Sequence, residues 1–66
     1  MDDLVAYRCA KLLLDRHGRD AELHAAMRAD ELVAAGDEAG RQAWMRILAA
    51  MDELVRTERR QGEPLQ

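Results

Sequence analysis

The sequence contains no phenylalanine, serine or asparagine, and only one cysteine and one proline among its 66 residues. A single cysteine excludes an intrachain disulfide and a zinc site built from four cysteines. Valine, isoleucine and threonine together number only five. Because such β-branched residues favour strands, their scarcity argues against a sheet. Twelve alanines and nine leucines, which are strong helix formers, predict an all-α fold instead.

Long uncharged stretches are also missing, since none exceeds five residues. This pattern offers no candidate for a transmembrane span or for the apolar part of a signal peptide, so we expect a cytoplasmic protein with no membrane partner. The net charge of −3 argues against nucleic-acid binding. With 48% apolar and 35% charged residues, the composition is that of a folded domain, and the length allows only one.

Glycine and aspartate divide the chain into three predicted helices, at about residues 4–17, 21–35 and 38–59. Gly18 and Gly36 are expected to end the first two helices, and Asp20 and Asp37 to cap the second and third. Gly40 is expected to let helix 3 approach its neighbour closely. We predict that helices 2 and 3 form an antiparallel hairpin within a single domain of residues 1–60. Residues 61–66 are predicted to be a disordered tail.

Helices 1 and 2 carry more apolar surface than a three-helix monomer of this size can bury. An apolar remainder of this kind indicates a partner surface, and small domains often gain stability by oligomerising. We therefore predict a homodimeric helical bundle, or a complex with another protein. The predicted interaction surface comprises Val5, Tyr7, Leu12, Leu14, Leu23 and Met27.

Asp30 lies within an apolar pattern of helix 2, where an unpaired carboxylate would be costly. A hairpin centred near residue 37 would place Asp30 opposite Trp44. A buried indole N–H needs an acceptor and a buried carboxylate needs a donor. We predict that Asp30 forms a structural polar pair, accepting a hydrogen bond from Trp44, from Arg41 or from both. A solvated Asp30 at a splayed helix corner is the other interpretation.

The residue types that carry catalysis or bind metals do not occur at productive spacings. His17 and His24 flank the predicted corner between helices 1 and 2, but they form neither of the usual helical zinc-binding patterns. Cys9 has no general base within reach on its own helix, which favours a small buried apolar role. We predict no catalytic, cofactor-binding or metal-binding residues and a protein that is not an enzyme. No small-molecule substrate is identifiable from the sequence, and a small-molecule or metal binder at the His17/His24 corner is a further alternative.

Helices 2 and 3 could also be read as a DNA-binding helix-turn-helix. A recognition helix needs arginine, lysine, asparagine or glutamine directed at base edges, and here only Arg41 and Gln42 offer this. Helix 2, counted together with its predicted cap Asp20, has one arginine against four acidic residues. A transcription-related or nucleic-acid-associated helical module is therefore the alternative function.

The stretch from His17 to Leu54 resembles a family of short alphaproteobacterial proteins known as a domain of unknown function. The resemblance is carried by the segments His17-Gly18, Ala26-Met27-Arg28-Ala29-Asp30, Gly36-Asp37 and Trp44-x-Arg46-Ile47-Leu48. It implies a free-standing bacterial cytoplasmic protein and carries no activity over to this chain.

Overall fold

The computed structural model describes the backbone of residues 3–62 and the side chains of residues 3–58. Its elements are α1 (Asp3–His17), a 3₁₀ turn (Gly18–Asp20), α2 (Ala21–Ala34) and α3 (Glu38–Gly62). No strand occurs within residues 3–62, which confirms the predicted all-α class. Across the same residues, no helix combines the length and the apolar character needed to cross a bilayer.

Both glycines predicted to end helices are confirmed, whereas only one of the two predicted aspartate caps is formed. Gly18 and Gly36 have φ values of 56° and 76°, the left-handed conformation expected after a helix. Asp37 caps α3, because its Oδ1 accepts a hydrogen bond of 2.9 Å from the backbone N–H of Gly40. Asp20 makes no such bond. Its backbone is right-handed helical (φ −85°, ψ −2°) rather than extended, because the 3₁₀ turn runs directly into α2.

Gly40 makes room for a side chain at the start of its own helix. The sequence pattern had instead predicted that this glycine lets α3 approach a neighbouring helix closely. A Cβ atom at this position would lie 2.6 Å from Oδ2 and 2.9 Å from Cγ of Asp37. Glycine at position 40 therefore leaves room for the carboxylate that caps the start of α3.

α3 continues to Gly62 and spans about 37 Å at the usual helical rise. Gln61 and Gly62, expected in the tail, therefore belong to this helix. Residues 63–66, the rest of the predicted tail, lie outside the described residues.

α3 packs against both other helices, whereas α1 and α2 contact each other less extensively. Where the three meet, five of the seven buried residues are alanines, and the set is Ala6, Ala10, Ala21, Ala25, Ile47, Ala50 and Met51. Half-buried side chains surround this core, namely Tyr7, Cys9, Leu13, Leu14, Trp44, Leu48 and Leu54. Small side chains allow the helices to approach closely, but a core of this kind encloses little apolar area.

Candidate interaction surface

The large apolar side chains of this protein lie to a considerable extent outside its core. Seven of those described are between 44% and 62% exposed: Leu4, Val5, Leu12, Leu23, Met27, Val33 and Met45. Six of the eight buried apolar residues, in contrast, are alanines. The monomer thus buries its smallest apolar side chains and exposes several of its largest, which is the reverse of a self-sufficient globular domain.

α2 has two opposite apolar faces. Its inner face consists of Ala21, Ala25 and Ala29, which are buried. Its outer face consists of Leu23, Met27, Asp30 and Ala34, all of which are exposed. Both faces repeat at helical spacing, and the alanine face lies inward because it permits the closer approach to neighbouring side chains.

At the corner between α1 and α2, Leu23 and Met27 line an open groove together with His17, Asp20 and His24. The imidazole rings of His17 and His24 stack here, with centroids 4.4 Å apart and planes inclined by 17°. The groove measures about 360 Å³, near the lower end of the range for small-molecule pockets. Being open as well as small, it can admit an apolar side chain of a partner more readily than it can enclose a ligand.

The stacked rings do not form a two-histidine chelate. A metal ion binds a ring nitrogen through its in-plane lone pair. The two planes are nearly parallel and displaced, so one ion cannot lie in both without rotation of a ring. Within the described residues, no cluster of three or more histidine, cysteine, aspartate or glutamate side chains is arranged to hold a metal.

The six residues of the predicted interaction surface separate into three sets. Leu23 and Met27 share the corner groove. Val5 and Leu12 are exposed on α1, but they do not line that groove. Tyr7 and Leu14 are half-buried and pack against the core. Because the buried residues of α1 are alanines, these larger flanking side chains can reach past them toward the rest of the core.

Tyr7 also connects α1 to α3 through a polar contact that the sequence pattern did not indicate. Its hydroxyl donates a hydrogen bond to the Glu53 carboxylate, 46 positions along the chain. Asp3 and Arg46 form a second, exposed link between the same helices at 3.6 Å. The hydrogen bond to Glu53 is the main reason that the pKa of Tyr7 is raised, with partial burial and the charges of Glu53 and Asp3 adding to it.

We expect Tyr7→Phe to lower the melting temperature by about 2–5 °C near pH 7, because it removes the hydroxyl donor and keeps the ring. The raised pKa of Tyr7 means that its stabilising contribution is complete below the ordinary tyrosine pKa and is lost as the pH rises through the raised value. Melting followed by circular dichroism should therefore show the difference from the wild type shrinking in alkaline buffer. Equal melting temperatures at pH 7 would rule out a stabilising role for the contact.

The predicted pair of Asp30 with Trp44 or Arg41 is absent from the described residues. Asp30 is exposed, while Trp44 is half-buried against the core. Asp30 follows the buried Ala29 and is therefore rotated by about 100° from it around the helix axis. The solvated interpretation of Asp30 is the one that fits the structure.

Arg41 is occupied by a partner on its own helix. Its Nε and Nη2 atoms donate to the Glu38 carboxylate at 3.1 and 2.6 Å, and Gln42 Nε2 donates to the same group at 3.4 Å. The hydrogen bond from Arg41 is the main reason that the pKa of Glu38 is lowered. The two side chains best suited to reading bases thus both contact one acidic residue.

Comparisons of the chain with protein-family models, with curated proteins and with solved structures gave no match. The resemblance to a short alphaproteobacterial family therefore stays a prediction.

Proposed function

We propose that this protein is a small, non-enzymatic cytoplasmic module that associates with a second copy of itself through the outer face of α2. In this proposal α2 and α3 form an antiparallel hairpin, and the dimer is a helical bundle. The supporting observation is the inverted distribution of apolar residues, with alanines buried and large side chains such as Leu23 and Met27 more than half exposed.

The apolar area exposed on α2 supports weak, reversible association. Fully burying a leucine or methionine side chain is worth about 1.5–3 kcal/mol, so covering the exposed parts of Leu23 and Met27 on two copies gains roughly 3–7 kcal/mol. Association costs an estimated ~4–15 kcal/mol in lost freedom. The two ranges overlap, and Val33 at the edge of the face adds further apolar area. We therefore expect a reversible dimer whose population depends on protein concentration.

The nucleic-acid alternative has weaker support from the same structure. A recognition helix needs free basic or amide groups and supporting phosphate contacts. Here Arg41 and Gln42 both donate to Glu38, and the whole chain carries a net charge of −3. The exposed apolar side chains of α2 would have no role in such a complex.

Self-association is tested by comparing Met27→Glu with Met45→Glu. Both residues are about half exposed, at 55% and 47%, but only Met27 lies on the outer face of α2. We expect sedimentation equilibrium to give twice the 7.5 kDa chain mass for the wild type and for Met45→Glu, and the monomer mass for Met27→Glu. Glutamate at position 27 removes an apolar contact and adds a second carboxylate next to Asp30 on the same face, so that the two copies repel each other there.

Circular dichroism serves as the control, since both exposed substitutions should leave the helical signal intact. A wild type that stays at the monomer mass up to high micromolar concentration would contradict the proposal. Equal dissociation by the two variants would contradict the assignment of the interface to α2.

A further inference from the structure

The outer face of α2 has the spacing of a helix-pairing seam. Leu23, Met27, Asp30 and Ala34 follow one another at intervals of four, three and four residues. This alternation keeps successive side chains along the line of contact between two packed helices. The inner face, with Ala21, Ala25 and Ala29, is already occupied by the core. A partner helix therefore meets one continuous row of four exposed residues.

Asp30 distinguishes between the two directions in which a second α2 could lie. A parallel pair places every residue of the row opposite its own copy, so two exposed Asp30 carboxylates would face each other. Carboxylates held together in this way disfavour each other's charge. An antiparallel pair offsets the two Asp30 residues along the axis and places each beside an apolar residue of the row.

Side-chain size and charge favour the same direction. Leu23 and Ala34 lie at opposite ends of the row, so only the antiparallel arrangement sets a large side chain against a small one at both ends. His24 and Glu31 lie along one edge of the row, seven positions apart. Antiparallel packing brings each His24 beside the partner's Glu31, and Glu31 engages Arg28 through Oε2 alone, at 2.8 Å. Its Oε1 atom can accept a further donor.

We propose that two copies of α2 pack antiparallel, with Leu23 of each against the partner's Ala34 and His24 beside the partner's Glu31. This inference rests on the proposed self-association and specifies its geometry. The dimer is then symmetric about a twofold axis that passes between the two α2 helices near their midpoints, and each copy supplies the same row of residues.

Disulfide trapping tests the direction of packing. In a Cys9→Ser background, which removes the one native thiol, Leu23→Cys and Ala34→Cys are prepared separately and then mixed in a glutathione redox buffer. Disulfides need Cα atoms within about 7 Å of each other. In the antiparallel pair, two residues at position 23 are about 16 Å apart along the axis, given the helical rise, whereas positions 23 and 34 are adjacent.

We expect the mixture to yield mainly the cross-linked pair of unlike chains, about tenfold above either like pair, as resolved by intact mass. Met45→Cys in the same background, exposed on α3, measures random collision. Strong linkage of Leu23→Cys to itself would overturn the antiparallel direction and leave self-association standing. Linkage no greater than that of Met45→Cys in every sample would overturn both the direction and the proposed self-association through α2.

Discussion

Replacing Met51 with alanine is expected to remove most of the free energy of unfolding of this protein. Among side chains 3–58, Met51 is the largest that is completely buried, and it lies in the core shared by α1, α2 and α3. Truncating a buried methionine to alanine costs about 2–5 kcal/mol through lost apolar burial and the cavity left behind. A domain of this size has only about 3–5 kcal/mol of core stability, so the substitution removes most of it. Urea titration followed by circular dichroism measures the loss.

Met45→Ala is the matched control for this substitution. It makes the same chemical change on the same helix, at a side chain that is 47% exposed. Any change in helix propensity is shared, so the difference between the two variants reports burial alone. We expect Met45→Ala to shift the free energy of unfolding by less than about 1 kcal/mol. Similar losses for the two variants would show that Met51 does not anchor the core.

The backbone of this protein was more predictable from the sequence than its packing. Helix formers are abundant, and two glycines free to adopt positive φ lie where α1 and α2 end. These are local preferences that need no knowledge of the neighbouring helices. Asp37 caps α3 as predicted. Asp20 does not cap α2, because a 3₁₀ turn that the sequence pattern does not indicate runs directly into this helix.

The choice between the two apolar faces of α2 could not be made from periodicity. The pattern around Asp30 includes Leu23, Met27 and Val33 and is the more hydrophobic, yet these residues lie outside. The buried face consists of alanines, since close contact between helices favours small residues where large side chains project from the partner. Hydrophobicity alone ranks leucine above alanine and so selects the wrong face.

The candidate site was only partly predictable for a similar reason. Leu23 and Met27 are one helical turn apart, so their common surface follows from the sequence. The stack of His17 on His24 depends on the 3₁₀ turn, and the contact of Tyr7 with Glu53 depends on how α1 lies against α3. Neither pair has a spacing that a single helix would bring together.

Ala25→Leu is expected to produce the second large loss of stability, by the opposite mechanism. Ala25 is completely buried, midway between Ala21 and Ala29 on the inner face of α2. Three added carbon atoms would have to displace the backbone or force side chains from their preferred rotamers, which costs typically about 1–3 kcal/mol. At roughly 4–8 °C per kcal/mol, the melting temperature should fall by about 4–24 °C.

Ala34→Leu is the matched control, since it introduces the same side chain on the exposed face of the same helix. Measured at low micromolar concentration, where the proposed dimer is least populated, it should melt close to the wild type. Leucine is well tolerated in helices and adds apolar area, so a lower melting temperature for Ala25→Leu than for Ala34→Leu reports the burial of position 25. If Ala25→Leu melted at the same temperature as Ala34→Leu, α2 would have to pack on α3 through another face, and its outer row would no longer be available to a second copy.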